Sequence, residues 1–259
     1  MQEGQTGFCR ARRNTDGKNI CVSYGKLTSL ALDPIEKKPL YGFYPGSLIL
    51  SAGSFGCNLA CPFCQNHEIS MHGADDTKTY DLSPEELCTL ALSHPESIGV
   101  AFTYNEPLIS YEYVLNAARL LKAHGLKVVL VTNGNAELPV LEELIPYIDA
   151  MNIDLKGPPA FYRELGGDYE TVKQCIQYCA ARTHVEVTSL IVPGKNDSEE
   201  WIAQEAAWLS SLDRNMILHI TRYFPRYHYT IPATEKQVLY RLKETAEQYL
   251  HHVYLGNVY

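Results

Sequence analysis

The apolar and polar positions of this 259-residue chain fall into two alternating kinds of segment. Short continuous apolar runs, SLILSAG, SIGVAFT, KVVLVTNG, AMNIDLKG, VEVTSLIVPG and MILHIT, read as strands covered on both faces. Between them lie segments whose apolar residues recur every three or four positions, SYEYVLNAARLLKAHG, PVLEELIPYI, ETVKQCIQYCAA and SEEWIAQEAAWLSSL, and these read as amphipathic helices. A further helix opens at DLSPEEL, with Ser83 as N-cap and Pro84 at the first helical position, and TEKQVLYRLKETAEQYLHH supplies a last one. With SLILSAG as the first, six strands alternate with helices. Strict alternation implies parallel strands with right-handed crossovers, which fits either an open doubly wound sheet or an incomplete TIM-like barrel. Both folds put chemistry at the carboxyl ends of the strands.

Ahead of the first strand, NICVSYGKL reads as a strand laid along the edge of the domain. DPIEKKPLYGFYPG holds three prolines and two glycines, which break regular structure and predict a loop across the barrel mouth. Lys37 and Lys38 in that loop are placed to meet a substrate carboxylate or to stand in solvent. The whole chain reads as one unit, with 1–46 an extension packed on the barrel and 47–259 the barrel itself.

Composition narrows the possibilities. At 46% hydrophobic residues the chain can bury a full core. A net charge of -8 gives no support to non-specific binding of nucleic acid or anionic membrane. No apolar run is long enough to span a bilayer, and the polar start MQEGQTGF lacks the basic flank and apolar core of a secretory signal, so a soluble cytoplasmic protein is expected. Eight cysteines in that setting are not a disulfide framework.

Three of them, Cys57, Cys61 and Cys64, form a CxxxCxxC in GCNLACPFCQN, directly after the first strand. Iron–sulfur clusters are normally held by four cysteines, so three leave one iron open to a non-protein ligand. The alternative, a structural zinc knuckle, completes four protein ligands, and no second CxxC or HxxxH pair stands nearby. Cys175 and Cys179 share one helix face and read as small buried hydrophobes. Cys9 lies near the start without an evident partner.

The CxxxCxxC with Phe63 before its last cysteine, together with DPIEKKPLYGFYPGS, the closing CQN and GFCRARRN near the start, resembles the radical S-adenosylmethionine (SAM) superfamily, and within it the AmmeMemoRadiSam enzymes related to the pyruvate formate-lyase activating enzymes. The resemblance runs over nearly all of the chain. It implies an α/β fold, a partial TIM-like (β/α)6 barrel with N- and C-terminal extensions. It implies a 4Fe-4S cluster on Cys57, Cys61 and Cys64, which cleaves SAM reductively to methionine and a 5'-deoxyadenosyl radical that abstracts hydrogen from an unassigned substrate. Oxygen sensitivity and an anaerobic setting follow from the open iron.

The same resemblance gives roles to strand-end residues. Tyr104, Asn105 and Glu106 in TYNEP occupy the place of a Gly-Gly-Glu-type motif that contacts the SAM amino group. Glu106 matches it, while Tyr104 and Asn105 replace the glycines. Asn133 and Asp154 suit ribose hydroxyls and Lys156 a carboxylate. Leu190, with Ile191 and Val192, offers an apolar strand end for adenine, and Phe63 and Arg222 complete the candidate cofactor-binding set. The aromatic and arginine-rich stretch LHITRYFPRYHYTIP reads either as a substrate-facing loop or as cover for the barrel edge. Implied partners are a flavodoxin or ferredoxin as electron donor and a protein substrate or AMMECR-type and Memo-type proteins. The rival readings are an activase installing a glycyl radical on a partner enzyme and a non-catalytic zinc or iron–sulfur module.

Overall fold

The computed structural model describes residues 1–258. An N-terminal hairpin, β1 (Arg12–Thr15) and β2 (Lys18–Cys21), precedes β3 (Ser29–Pro34) and β4 (Leu48–Gly53). The alternating part then runs α1 (Pro84–Leu92), β5 (Ser97–Phe102), α2 (Tyr111–Ala123), β6 (Lys127–Thr132), α3 (Leu138–Leu144) and β7 (Ala150–Asp154). It continues through α4 (Pro159–Leu165), α5 (Tyr169–Ala180), β8 (His184–Ile191), α6 (Glu199–Leu212), β9 (Ile217–Arg222), α7 (Lys236–Ala246) and β10 (His252–Gly256).

The described residues build an eight-stranded sheet in the sequential order β10-β9-β8-β7-β6-β5-β4-β3, with β3 antiparallel to β4 and the other pairs parallel. The six expected strands are all present. Two more extend the sheet. β10 is a seventh parallel strand whose alternating HVYLG lacks the continuous apolar run of the others, and β3 is an antiparallel edge strand drawn from LALDP, ahead of the predicted first strand.

The helices line one face only. Leu50, Val100, Leu130, Ile153, Val187 and Ile220 pack there with Leu87, Leu121, Leu141, Ile202, Leu209 and Leu242 in the main core. The other face holds a smaller cluster in which Ile35, Leu40 and Phe43 meet Ile49, Ala101, Val129 and Ala150. Helices on a single face of a sequentially ordered parallel sheet distinguish the partial barrel from a doubly wound sheet, whose helices cover both faces. Cys175 and Cys179 are fully buried in the main core, as small hydrophobes.

The DPIEKKPLYGFYPG segment does not lie across the mouth. Its first two residues complete β3, and the rest enters the concave face from the amino ends of the strands. The cause is its hydrogen bonding: Glu186, near the start of β8, accepts from the backbone N–H of Tyr41 and Gly42 at 2.9 and 2.8 Å and from His184 and His219 at 2.8 and 2.6 Å. Asn152 donates to the carbonyl of Pro39 at 2.8 Å. Gly42 sits closely packed: a Cβ there would stand 2.7 Å from Ile217 Cδ1 and 3.1 Å from His184 Cε1, so a larger residue would have to move these side chains. Lys38 is buried and pairs with Asp33 Oδ2 at 2.9 Å, whereas Lys37 meets Asp33 Oδ1 at 3.1 Å with its side chain still 66% exposed to solvent.

Candidate functional site

The carboxyl ends of the parallel strands gather the polar residues that the sequence singles out. β4 ends at Gly53 and delivers the chain into the Gly56–Asn66 loop, which carries Cys57, Cys61 and Cys64. The loop is clamped on two sides. On one, the N–H groups of His228 and Tyr229 donate to the carbonyl of Pro62 at 2.9 and 3.1 Å, and Phe63 packs against Tyr223, Tyr229 and Phe161 with ring centroids 5.7 to 6.4 Å apart. On the other, Gly56 adopts a φ of +83° with the carbonyl of Cys9 occupying the place that a Cβ would need. The aromatic stretch after β9 thus buttresses the cysteine loop.

The three cysteines are free thiols, Cys61 buried and the others half-buried, in a cluster with Leu59, Phe63, Phe161, Leu165, Val192 and Tyr223. Burial raises all three, Cys61 to about 11. The positive charge of Lys156 opposes that shift at each of them. Lys156 itself is raised: burial works against its charge, but Asp154, at 2.8 Å, and Cys61 outweigh burial. The half-buried Lys156 ammonium thus favours the thiolate form that metal binding requires. Three thiols gathered on one loop are the protein ligands of an iron–sulfur cluster that keeps one position for a non-protein ligand, and the residues present fit that group.

Asn133, just beyond β6, donates from Nδ2 to Cys57 Sγ at 3.6 Å and to Asn58 Oδ1 at 2.8 Å, so it links the strand end to the loop. Asp154 ends β7 on the same rim, with Lys156 two residues on. Leu190 is half-buried near the end of β8 and packs on the cysteine cluster. Arg222 is turned to its own neighbourhood, its Nε donating to the carbonyl of Thr234 at 2.7 Å and its guanidinium lying 4.8 Å from the Phe224 ring centroid.

The TYNEP turn is organised inward. Glu106 is 2% exposed, and its carboxylate accepts from Leu108 N–H at 2.9 Å, Thr132 Oγ1 at 2.7 Å and Asn133 N–H at 2.7 Å. Three of the roughly four lone-pair positions of a carboxylate are thereby used. Burial raises Glu106 to about 7, against these donors. Asn105 accepts from Ser54 N–H at 2.9 Å and donates to the carbonyls of Phe55 and Gly56. Tyr104 takes the left-handed φ of +74° that a glycine would adopt without strain, and its hydroxyl donates to Asp33 at 2.7 Å. Tyr104 and Asn105 thus keep a glycine-type turn and anchor it with side chains.

Three participants escape sequence reasoning. Asn58 bridges Asn133 and the carbonyl of Asn135. Asn196, 1% exposed, accepts from Val192 N–H and donates to the carbonyls of Lys156 and Leu190, tying the ends of β7 and β8 together. The Tyr162 hydroxyl accepts from Lys156 N–H at 3.0 Å. Nothing in NLA, GKND or AFYREL distinguishes these from ordinary turn and helix residues.

Comparison with known proteins bears on the family and the fold. The family model described as the Radical SAM superfamily matches residues 53–209, which run from the end of β4 into α6. An uncharacterized protein of Methanocaldococcus jannaschii is 37% identical over 265 residues, covering 100% of this chain and 78% of its own length. The pyruvate formate-lyase 1-activating enzyme of Escherichia coli is 25% identical over 151 residues, which span 56% of this chain and 61% of that enzyme. Among solved structures, a radical SAM methyltransferase from Sphaerobacter thermophilus superposes with a TM-score of 0.59 at 16% identity, covering 82% of this chain and 67% of that one. That last likeness concerns the fold.

Proposed function

The chain belongs to the radical SAM superfamily, with homology to the pyruvate formate-lyase activating enzymes, and from that premise we propose that Cys57, Cys61 and Cys64 hold a site-differentiated 4Fe-4S cluster that cleaves SAM reductively. The family is one of enzymes that bind such a cluster and SAM. Together these groups supply one electron and a 5'-deoxyadenosyl radical able to abstract hydrogen from a substrate. The observation that carries the reading is the gathering of three free thiols, packed with Phe63, Phe161 and Tyr223, on the loop that follows β4.

The remaining roles belong to the chain. Asn133 and Asn58 hold Cys57 in register with β6. Asp154 accepts ribose hydroxyls, and Lys156 neutralises the carboxylate of SAM as well as favouring thiolates. Leu190 supplies an apolar surface for adenine, and Phe63 walls the cluster from water through Tyr223 and Tyr229. Glu106 acts first as a brace between β5 and β6, with its remaining lone pair offered to the SAM ammonium. Arg222 fixes the buttress after β9.

The substrate reading favoured by the homology is a protein, as in a glycyl-radical activase. The resemblance of GFCRARRN, which leads into β1, and of DPIEKKPLYGFYPGS, which joins β3 to β4, is what supports the AmmeMemoRadiSam type within the family. Electron paramagnetic resonance of the anaerobically reconstituted and reduced protein tests the cluster reading: SAM is expected to change the cluster signal, and an unchanged signal overturns it. Co-incubation with a glycyl-radical enzyme of the same cell tests the activase reading through the appearance of a protein glycyl radical.

A further inference from the structure

The N-terminal hairpin is electrostatically unlike the rest of the chain. Residues 1–27 carry five Arg and Lys against two Asp and Glu, a net +3, while residues 28–259 carry 17 against 28, a net -11. Two of the five cations are used internally: Arg12 forms a bidentate pair with Glu112 at 2.6 Å, and Lys26 pairs with Asp81 at 2.8 Å. Arg10, Arg13 and Lys18 have no carboxylate partner among the described residues.

The β-register decides where two of them point. Arg13 pairs with Ile20 and Thr15 with Lys18, so these four side chains share the face opposite Arg12, whose side chain turns inward to Glu112. That outer face is exposed, Ile20 at 42%, and Phe8 in the preceding turn is 60% exposed. Arg10 stacks on Phe8 at 5.5 Å. The result is a basic face with apolar side chains on a body of the opposite charge.

This face is joined to the cysteine loop. The Cys9 carbonyl abuts Gly56, and Ala11 packs with Phe55 and Ile109, with Cys9 against them. Beside the hairpin opens a cleft of about 500 Å³ whose lining includes Cys9, Arg12, Asn58 and Asn135, so it reaches the residue next to Cys57.

From this we infer that the hairpin face of Arg13, Lys18 and Ile20, with Phe8 and Arg10, is the docking surface for a small acidic one-electron carrier protein that reduces the cluster. The inference rests on the cluster reading above. The charge pattern orients such a carrier: a net +3 on residues 1–27 against a net -11 on the rest favours encounter at the hairpin, on the edge beside Cys57. One electron leaves the reduced centre of the carrier and enters the oxidised cluster, with no bond made or broken. Exposed Phe8 and Ile20 supply the apolar contact that charge alone does not.

The test uses the reconstituted holoprotein and reduced flavodoxin as the acidic probe, following cluster reduction by the loss of its visible absorbance under anaerobic stopped flow. The double variant Arg13→Glu/Lys18→Glu is expected to lower the second-order rate at least about tenfold at low ionic strength, and the wild-type rate is expected to fall with salt while the variant's does not. Arg13→Lys/Lys18→Arg keeps the charge and should keep the rate. Dithionite, which needs no docking, is the control: equal reduction of the double variant and wild type shows that fold and cluster are intact. Flavodoxin rates that are equal in wild type and double variant, or insensitive to salt, overturn the docking site and leave the cluster reading standing. Failure of dithionite to reduce the wild type overturns both.

Discussion

Lys156 Nζ stands 2.8 Å from Asp154 Oδ2, and its charge opposes the effect of burial at each of the three loop cysteines. Its side chain is 15% exposed, so water screens the interaction little. Because an ammonium stabilises a neighbouring thiolate, its removal raises the thiol pKa values and lowers the thiolate fraction at any given pH. Lys156→Met is therefore expected to move the alkylation of Cys57, Cys61 and Cys64 in the iron-free protein to higher pH, by on the order of one unit. Mass-spectrometric iodoacetamide kinetics across pH check this. An unchanged profile would mean that Lys156 does not govern the thiols.

Glu106 accepts three hydrogen bonds from Leu108, Thr132 and Asn133. Glutamine at this position must turn its NH2 toward at least one of those donors. Leaving a buried donor unpaired costs about 1–3 kcal/mol, so Glu106→Gln should lose about that much stability in urea unfolding. If Glu106 served only as a SAM ligand, the variant would bind SAM more weakly with its stability unchanged.

Glu186 latches the plug segment to the sheet. Burial would raise its carboxyl, but hydrogen bonds from His184, His219 and the backbone of Tyr41 and Gly42 outweigh burial and hold it at about 2. A carboxyl depressed in the folded state contributes stability that is present above its unfolded value, near 4.5, and is lost as pH falls toward about 2. Glu186→Gln should therefore be less stable than wild type at pH 6, with the gap narrowing on acidification. A constant difference across that range would contradict the assignment.

Glu205 on α6 has the opposite sign. Burial raises its carboxyl to about 8, against the opposing effect of Ser189, which donates to one oxygen, and of the Trp201 side chain. A raised carboxyl loses stability as pH climbs from the unfolded value toward the folded one. Glu205→Gln keeps an acceptor for Ser189 and removes the charge. Its thermal midpoint is expected to exceed that of wild type at pH 8 and to approach it at pH 5, and the reverse order would refute the account.

The sequence carries the parallel core openly, because strands covered on both faces are unbroken apolar runs and the helices between them repeat at three and four. β10 was hidden because a final edge strand needs an apolar residue on one face only, as HVYLG shows. β3 was hidden by the DP that ends it, which reads as a turn. The cysteine spacing announces a metal loop by itself. What the sequence cannot announce is where a polar strand end points: Glu106 and Arg222 have the chemistry of ligand contacts, yet both are largely engaged by their own chain. Asn196 and Asn58, which hold the rim together, carry no motif.

The central claim is that Cys57, Cys61 and Cys64 assemble the centre that breaks SAM. Its most direct measurement is the yield of 5'-deoxyadenosine and methionine from SAM with the anaerobically reconstituted, dithionite-reduced protein, set against the Cys57→Ala variant. Wild type is expected to form both products and the variant neither, within detection. No product from wild type, or equal product from the two, would contradict the account.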